Sequence, residues 1–280
     1  MPSSASVLAF TASSTDPLVS VIIPIYNGAR FVADAIATID AQNYAPIEIV
    51  TVDDGSTDHT RDAIAVYGER VQYHYQANQG PAAARNQGLA LAKGDYIAFL
   101  DVDDQWPADK LRRQLAAFQA QPHLEIVNGY VQLLKLEAGD NDSPEFQAQH
   151  NPMVSFNLGS ALFRRTVFDR TGPFDASQIH SEDVDWFMKA RELQVPMVVL
   201  EAVTLLYRKH ETNLTHDRQE NLKGFMQALH KSIHRRRAQG KTASLSQLSY
   251  LDANGEIFQR DGQQPAVLKS NPVNPKKNHV

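Results

Sequence analysis

Short apolar runs alternate with amphipathic stretches along the first hundred residues. Leu18-Val19-Ser20-Val21-Ile22-Ile23, closed by Pro24, predicts a buried strand. Pro24 to Gly28 reads as a loop. Ala29 to Ala41 reads as a helix, with Phe31, Ala35, Ile36 and Ile39 at helical spacing. Ile47 to Val52 predicts a second strand, ending in the acceptor-rich turn Asp53-Asp54-Gly55-Ser56-Thr57-Asp58, whose residues suit a helix start. A helix over Asp58 to Tyr67, a strand over Val71 to Tyr75, a loop to Pro81 and a helix over Ala82 to Lys93 follow. The run Tyr96 to Leu100 is the next strand. This alternation predicts βαβ units and an α/β fold, with a Rossmann-like, mainly parallel central sheet flanked by helices. Each strand ends in a polar loop. Tyr26-Asn27, Asp53-Asp54, Asn78 to Gly80 and Asp101 to Asp103 should therefore meet in one crevice at the carboxyl edge of the sheet.

Farther along, Pro107 to Gln121 predicts a helix with Leu111, Leu115 and Phe118 inward, and His123 to Leu136 an extended segment. Glu137 to Pro152 is polar and reads as a mobile loop. Leu158 to Phe163 is apolar and leads into a short helix to Arg170, then a turn, Thr171 to Asp175. Ser181 can cap a helix running to Gln194, with Glu182, Asp183 and Asp185 in its first turn. Val195 to Leu200 and Val203 to Tyr207 read as two strands before a polar loop, Arg208 to Thr215. Asp217 to Gln239 predicts a long C-terminal helix with Leu222, Phe225, Met226, Leu229 and Ile233 on one stripe. Residues 1–16 read as a flexible leader, 17–240 as one domain and 241–280 as a disordered tail.

Composition narrows the function. A net charge of −5 disfavours nucleic acid as a partner. With no cysteine, disulfides and thiolate metal sites are excluded, so any metal must be held by Asp, Glu or His. No run reaches the roughly 18 apolar residues of a transmembrane helix, and the N-terminus lacks the basic start of a signal peptide. A cytoplasmic location is expected. His234 to Arg237 can complement the dipole at a helix C-terminus or, as the alternative, bring the protein to the inner face of an anionic membrane.

The chemistry concentrates at Leu100-Asp101-Val102-Asp103-Asp104. Three carboxylates so close repel one another, and a hard divalent cation such as Mg²⁺ or Mn²⁺ relieves that repulsion. Taken with Val21 to Asn27, Val52 to Asp58, Asn78-Gln79-Gly80 with Ala84-Arg85-Asn86, Glu182-Asp183 and Tyr207 to His210, this stretch resembles the inverting glycosyltransferases of family 2, which have the GT-A fold. The six stretches occur in family order between about Pro17 and Leu229. The resemblance implies a nucleotide-binding half (17–104), an acceptor half (105–216) and a C-terminal helix (217–239). It implies Asp183 as general base, and Pro24, Tyr26, Asn27, Asp53, Asp54, Gly80, Arg85 and Asp101 around the nucleotide. Asp54 would read the base edge, Tyr26 stack on the base, and Gly80 let backbone approach the ligand. Asp103, Asp101 and His210 would hold Mn²⁺ or Mg²⁺, and Glu182 and Trp186 would face the acceptor. The implied partners are a nucleotide-sugar donor, most simply a UDP-sugar, and a saccharide, lipid-linked or protein acceptor. No Gln-x-x-Arg-Trp signature of processive synthases appears, which favours single addition.

Three other classes compete. A haloacid-dehalogenase-like phosphatase would carry its Asp-x-Asp on the first strand, leaving Asp53-Asp54 unexplained. A sugar nucleotidyltransferase would want a glycine-rich basic loop where Pro24 to Gly28 stands. A non-catalytic nucleotide- or glycan-binding module would not need Asp101, Asp103 and Asp183 together.

Overall fold

The computed structural model describes residues 16–136, 146–211, 213 and 217–240. The leader, apart from Asp16, and the tail from 241 onward lie outside the described residues. Strands β1 (Val19–Ile25), β2 (Ile47–Asp54), β3 (Val71–Gln76) and β4 (Tyr96–Phe99) lie side by side in the order β3-β2-β1-β4, all parallel. Helices α1 (Val32–Asp40), α2 (Thr60–Ala65) and α3 (Pro81–Leu91) make the connections, with a turn of 3-10 helix at Gly68–Arg70. Every residue of β1 but one is buried, as expected of a strand covered on both faces.

Beyond β4 the sheet becomes mixed. The remaining elements are α4 (Lys110–Ala120), β5 (Ile126–Leu136), β6 (Phe146–Val154), β7 (Leu162–Arg164), α5 (Thr166–Thr171), α6 (Glu182–Glu192), β8 (Met197–Lys209) and α7 (Arg218–Ala238). The short β7 runs antiparallel to both β4 and β5. Two reversals restore direction, so β5 points the same way as β4. β8 is parallel to β5 and shares that direction. The carboxyl ends of β1 to β4, β5 and β8 therefore open on one edge. An antiparallel bridge between Gln105 and Leu206 ties the end of β8 directly to the chain following β4.

Alternation along β1 splits the core in two. Val19, Val21, Ile23 and Ile25 face α1, α2 and α4 through Ile36, Ile39, Ile64, Leu111 and Phe118. Ile22, Ile97, Phe99 and Phe163 face Val167, Trp186 and Phe187 of α5 and α6. Burying one of these large side chains is worth about 1.5–3 kcal/mol, so each layer holds its helices firmly.

Several expectations are corrected. Part of the polar segment Glu137 to Pro152 is strand: β6 pairs antiparallel with β5, and its exposed Gln, His and Asn side chains hide that pairing from a hydrophobicity reading. Residues 137–145 lie outside the described residues. The two strands expected between Val195 and Tyr207 are one, interrupted by register shifts against β5. The long helix turns a different face inward. Gly224, Ala228, Ser232 and Arg236 of α7 are buried, whereas Leu222 and Met226 are more than half exposed. Small residues allow close approach. A methyl group on Gly224 would sit 2.6 Å from the His180 carbonyl oxygen. Gln178 donates to the carbonyls of Gly224 (3.3 Å) and Ser181 (3.0 Å), and Lys231 donates to Asp175 (2.7 Å) and Gln178 (2.8 Å). Arg235 clasps Glu192 (2.7 Å) and Asp185 (2.8 Å) at the two ends of α6. Of the basic run, Arg235 and Arg236 thus face the protein, and only His234 and Arg237 face outward.

Because backbone rather than a flexible side chain occupies the space, Gly224→Ala should destabilise the fold by about 1–3 kcal/mol. Chemical denaturation of the two proteins checks this; an unchanged midpoint would show that α7 does not press on the 178–181 segment.

Candidate active site

The loop after β1 is stitched to the loop after β2. Asn27, at φ 53°, donates its N–H to Ser56 Oγ (2.9 Å), and its side-chain oxygen accepts from the Thr57 N–H (2.8 Å). Gly28 N–H reaches Thr60 Oγ1 (2.9 Å) and Ala29 N–H reaches Asp58 Oδ2 (3.1 Å). Asp53 and Asp54 are both buried. Asp53 accepts from the Ser56 N–H (2.8 Å) and the Tyr73 hydroxyl (2.7 Å). Burial first, then this bond, raises the Tyr73 pKa. Asp54 accepts from Gln76 Nε2 (2.7 Å), Gln79 N–H (2.9 Å) and Gly80 N–H (2.8 Å). Its carboxylate therefore shapes the loop between β3 and α3. Gly80 stands at φ 88° with open space where a side chain would project, so only backbone borders that side. Tyr26 is exposed over the same edge, beside the partly buried Pro24.

At the end of β4 the acids diverge in role. Asp101 accepts from Arg85 Nη2 (2.7 Å). Asp103 Oδ2 lies 3.1 Å from His210 Nε2 and accepts from Asn213 Nδ2 (2.9 Å). Asp104 is buried. Its Oδ1 accepts from the Arg208 N–H (2.9 Å), and its Oδ2 has no hydrogen-bond partner among the described residues. Burial, then Asp103 and Asp101, raises the Asp104 pKa well above the carboxylate range. His210 stacks on Phe31, with ring centroids 4.8 Å apart. Arg208 lies over Phe31 and Phe146 and donates to Asp34 (2.6 Å). From the sequence, Asn213 had no assignment, and Asp104 and Arg208 entered only as members of the stretches Leu100 to Asp104 and Tyr207 to His210. Their signal was present only as neighbours of assigned residues.

Arg85 is the bridge to the other half. It is 6% exposed, donating to Glu182 from Nη1 and to Asp101 from Nη2. Burial alone would lower its pKa, but Asp101, Glu182 and Asp183 raise it. Asp183 follows at the start of α6, where the helix dipole favours acids. Its Oδ1 accepts from the Val184 N–H (2.7 Å). Burial and then Glu182 push its pKa up to about 7, against the pull of Arg85 and of that N–H. The preceding Ser181 is left-handed (φ 60°) and makes no side-chain cap, contrary to expectation. A non-glycine residue there is strained by roughly 1 kcal/mol or more, and the bond from Gln178 to its carbonyl holds it in place.

Two expected acceptor residues are corrected. Trp186 is 1% exposed, packs among Phe163, Phe168, Phe174 and Phe187, and donates to the Gly172 carbonyl (3.2 Å). It is a core residue, because the side of α6 that carries it faces the sheet. Glu182 is turned toward Arg85 rather than the crevice. Arg85 is likewise held by two carboxylates, Asp101 and Glu182. Among the described residues, no three His, Asp or Glu side chains form a metal cage. The Asp101 and Asp103 side chains remain 35% and 23% exposed. Carboxylate and imidazole groups are of the donor types that Mg²⁺ or Mn²⁺ accept, their shells being commonly completed by substrate phosphates and water.

The family model described as Glycosyl transferase family 2 matches residues 20–174. Asp183 and His210 lie beyond that segment. An uncharacterized glycosyltransferase from Nostoc sp. is 36% identical over 184 residues, covering 56% of this chain and 54% of the relative. TuaG of Bacillus subtilis, a putative teichuronic acid biosynthesis glycosyltransferase, is 46% identical over 103 residues, covering 35% of this chain and 41% of the relative. The matches thus span about half the length of these curated relatives. Among solved structures, S. aureus TarS in complex with UDP-GlcNAc superposes with TM-score 0.59 at 20% identity, covering 75% of this chain and 65% of that one. The mannosyltransferase PcManGT from Pyrobaculum calidifontis, in complex with GDP-Man and Mn²⁺, gives 0.62 at 20%, covering 79% and 65%. These likenesses show the fold, GT-A. With the family match extending over more than half of its sequence, the chain belongs to glycosyl transferase family 2.

Proposed function

We propose that this protein transfers a sugar from a nucleotide-diphosphate donor, a UDP-sugar in the first instance, to an acceptor hydroxyl with inversion at the anomeric carbon. One observation carries the reading. A carboxylate with a pKa of about 7, Asp183, is joined through Glu182 and Arg85 to the acidic loop at the end of β4. A general base works best when its pKa lies near the working pH. Ionised Asp183 takes the proton of the acceptor hydroxyl as that oxygen attacks the anomeric carbon, and the nucleoside diphosphate leaves from the opposite face. Asp103, with Asp101 and His210, would hold Mn²⁺ or Mg²⁺, which when bound supplies Lewis-acid stabilisation of the departing phosphates. The loop shaped by Asp54 and the exposed ring of Tyr26 border the place for the base. The TarS and PcManGT complexes, with UDP-GlcNAc and with GDP-Man and Mn²⁺, support a nucleotide-sugar donor and a divalent ion. The acceptor is a saccharide, lipid-linked or protein hydroxyl. No helix among the described residues is long and apolar enough to cross a membrane.

Asp183→Asn should cut turnover by about 10²–10⁴-fold while leaving sugar-nucleotide affinity within about threefold. Normal turnover by that variant would remove Asp183 from the role. Asp103→Ala should instead weaken Mn²⁺-dependent binding of the donor itself, as read by calorimetry with UDP.

The wild-type rate should rise with pH along a limb centred near 7, since only the ionised carboxylate accepts the proton. Stability should move the other way. A carboxyl group whose pKa is raised on folding binds more protons folded than unfolded between about pH 4 and 7, so stability falls as pH climbs through that window. Asp183→Asn should therefore match the wild type in melting temperature near pH 4 and exceed it at pH 8.

A further inference from the structure

We propose that Arg85 is a positioning residue that locks the base-bearing end of α6 against the acidic loop after β4, and that it does not bind the donor. This rests on the glycosyltransferase reading above. Three features support it. First, Arg85 is buried, and its two terminal nitrogens are taken by carboxylates from different parts of the fold, Asp101 after β4 and Glu182 on α6. Second, its own place is well determined. α3 begins at Pro81, directly after Gly80, whose N–H is held by Asp54, so the guanidinium is referred to the nucleotide side of the crevice. Third, the first turn of α6 has no side-chain cap and starts from a left-handed Ser181, so its orientation depends on tertiary contacts. Arg235 anchors α6 through Asp185 and Glu192. Arg85 supplies a separate contact at the first residue of the helix, Glu182.

The chemistry demands an arginine. A planar guanidinium presents separate donors to two carboxylates at once, whereas a lysine ammonium is a single point of charge. Without the bridge, Asp101, Glu182 and Asp183 repel across a poorly solvated space, and the turn bearing Asp183 swings away from the donor loop. A misplacement of about 1 Å can cost 10²-fold in rate. Binding of the nucleotide would be little affected, because neither terminal nitrogen of Arg85 is open to it.

The test uses the full chain with Mn²⁺. UDP release from UDP-GlcNAc, or from whichever sugar nucleotide the wild type turns over, gives kcat, and calorimetry gives the affinity for UDP. Arg85→Lys should lower kcat about 100-fold with UDP affinity within about threefold. Glu182→Gln, which approaches the same contact from the other side, should lower kcat with the same unchanged affinity. The double variant should be no slower than Arg85→Lys alone, since both remove one contact. If UDP affinity falls in step with kcat, Arg85 is a donor ligand and the proposal is overturned. Unchanged kcat in Arg85→Lys, or fully additive losses in the double variant, would overturn it as well. A wild type that releases nothing from any sugar nucleotide would instead refute the enzyme reading, and the positioning role with it.

Discussion

Mutual repulsion among carboxylates is the constraint to which the rest of this structure answers. Asp53, Asp54, Asp101, Asp103, Asp104, Glu182 and Asp183 are gathered at or near one edge of one sheet, several of them buried. Unit charges 4 Å apart interact by about 4 kcal/mol where the effective dielectric is about 20. The fold answers with a partner for nearly every acid. Backbone N–H groups and a tyrosine hydroxyl satisfy Asp53 and Asp54. Arg85 takes Asp101 and Glu182, and His210 with Asn213 takes Asp103. Those partners come from β3, the loop before α3, α3 itself and the loop after β8, so neutralising the acids and assembling the crevice go together.

The acids left least compensated are informative. Asp104 keeps one buried oxygen without a partner among the described residues, and its pKa is raised well above the usual range. It closes the loop by accepting from the Arg208 backbone and so fastens the end of β8 to the end of β4. Asp183 is raised to about 7. In both, burial and neighbouring carboxylates favour the protonated form, and perturbed carboxyl groups of this kind concentrate at functional sites.

The C-terminal helix belongs to the same arrangement. Its small-residue face lets α7 press against the segment before α6, while Arg235 grips both ends of α6. The segment matched by the family model ends at residue 174, before these elements begin. Asp53, Asp54, Asp101 and Asp103 thus lie in the matched region, and Glu182, Asp183 and His210 follow it.

Local pattern sufficed for part of this. Strands of period two, helices of period 3.6 and polar strand ends are encoded over ten or so residues, so the four βα steps and the convergence of their loops were legible. So was the run of acids after Leu100, because crowding like charges in four residues needs a reason. What stayed hidden depends on partners distant in sequence. The pairing of β6 is carried by backbone groups whose side chains are polar. The inward face of α7 is decided by how closely it must approach His180, which favours Gly224, Ala228 and Ser232 over Leu222 and Met226. Trp186 went to the core, and Glu182 and Arg85 to each other, because burial and charge pairing across 97 positions of chain outweighed any local preference. The residues alone determined that carboxylates, an arginine and an imidazole were available on a mainly parallel α/β frame. Only the tertiary structure decided which acid faces which cation, since that depends on desolvation and distance, and neither exists until the chain has folded.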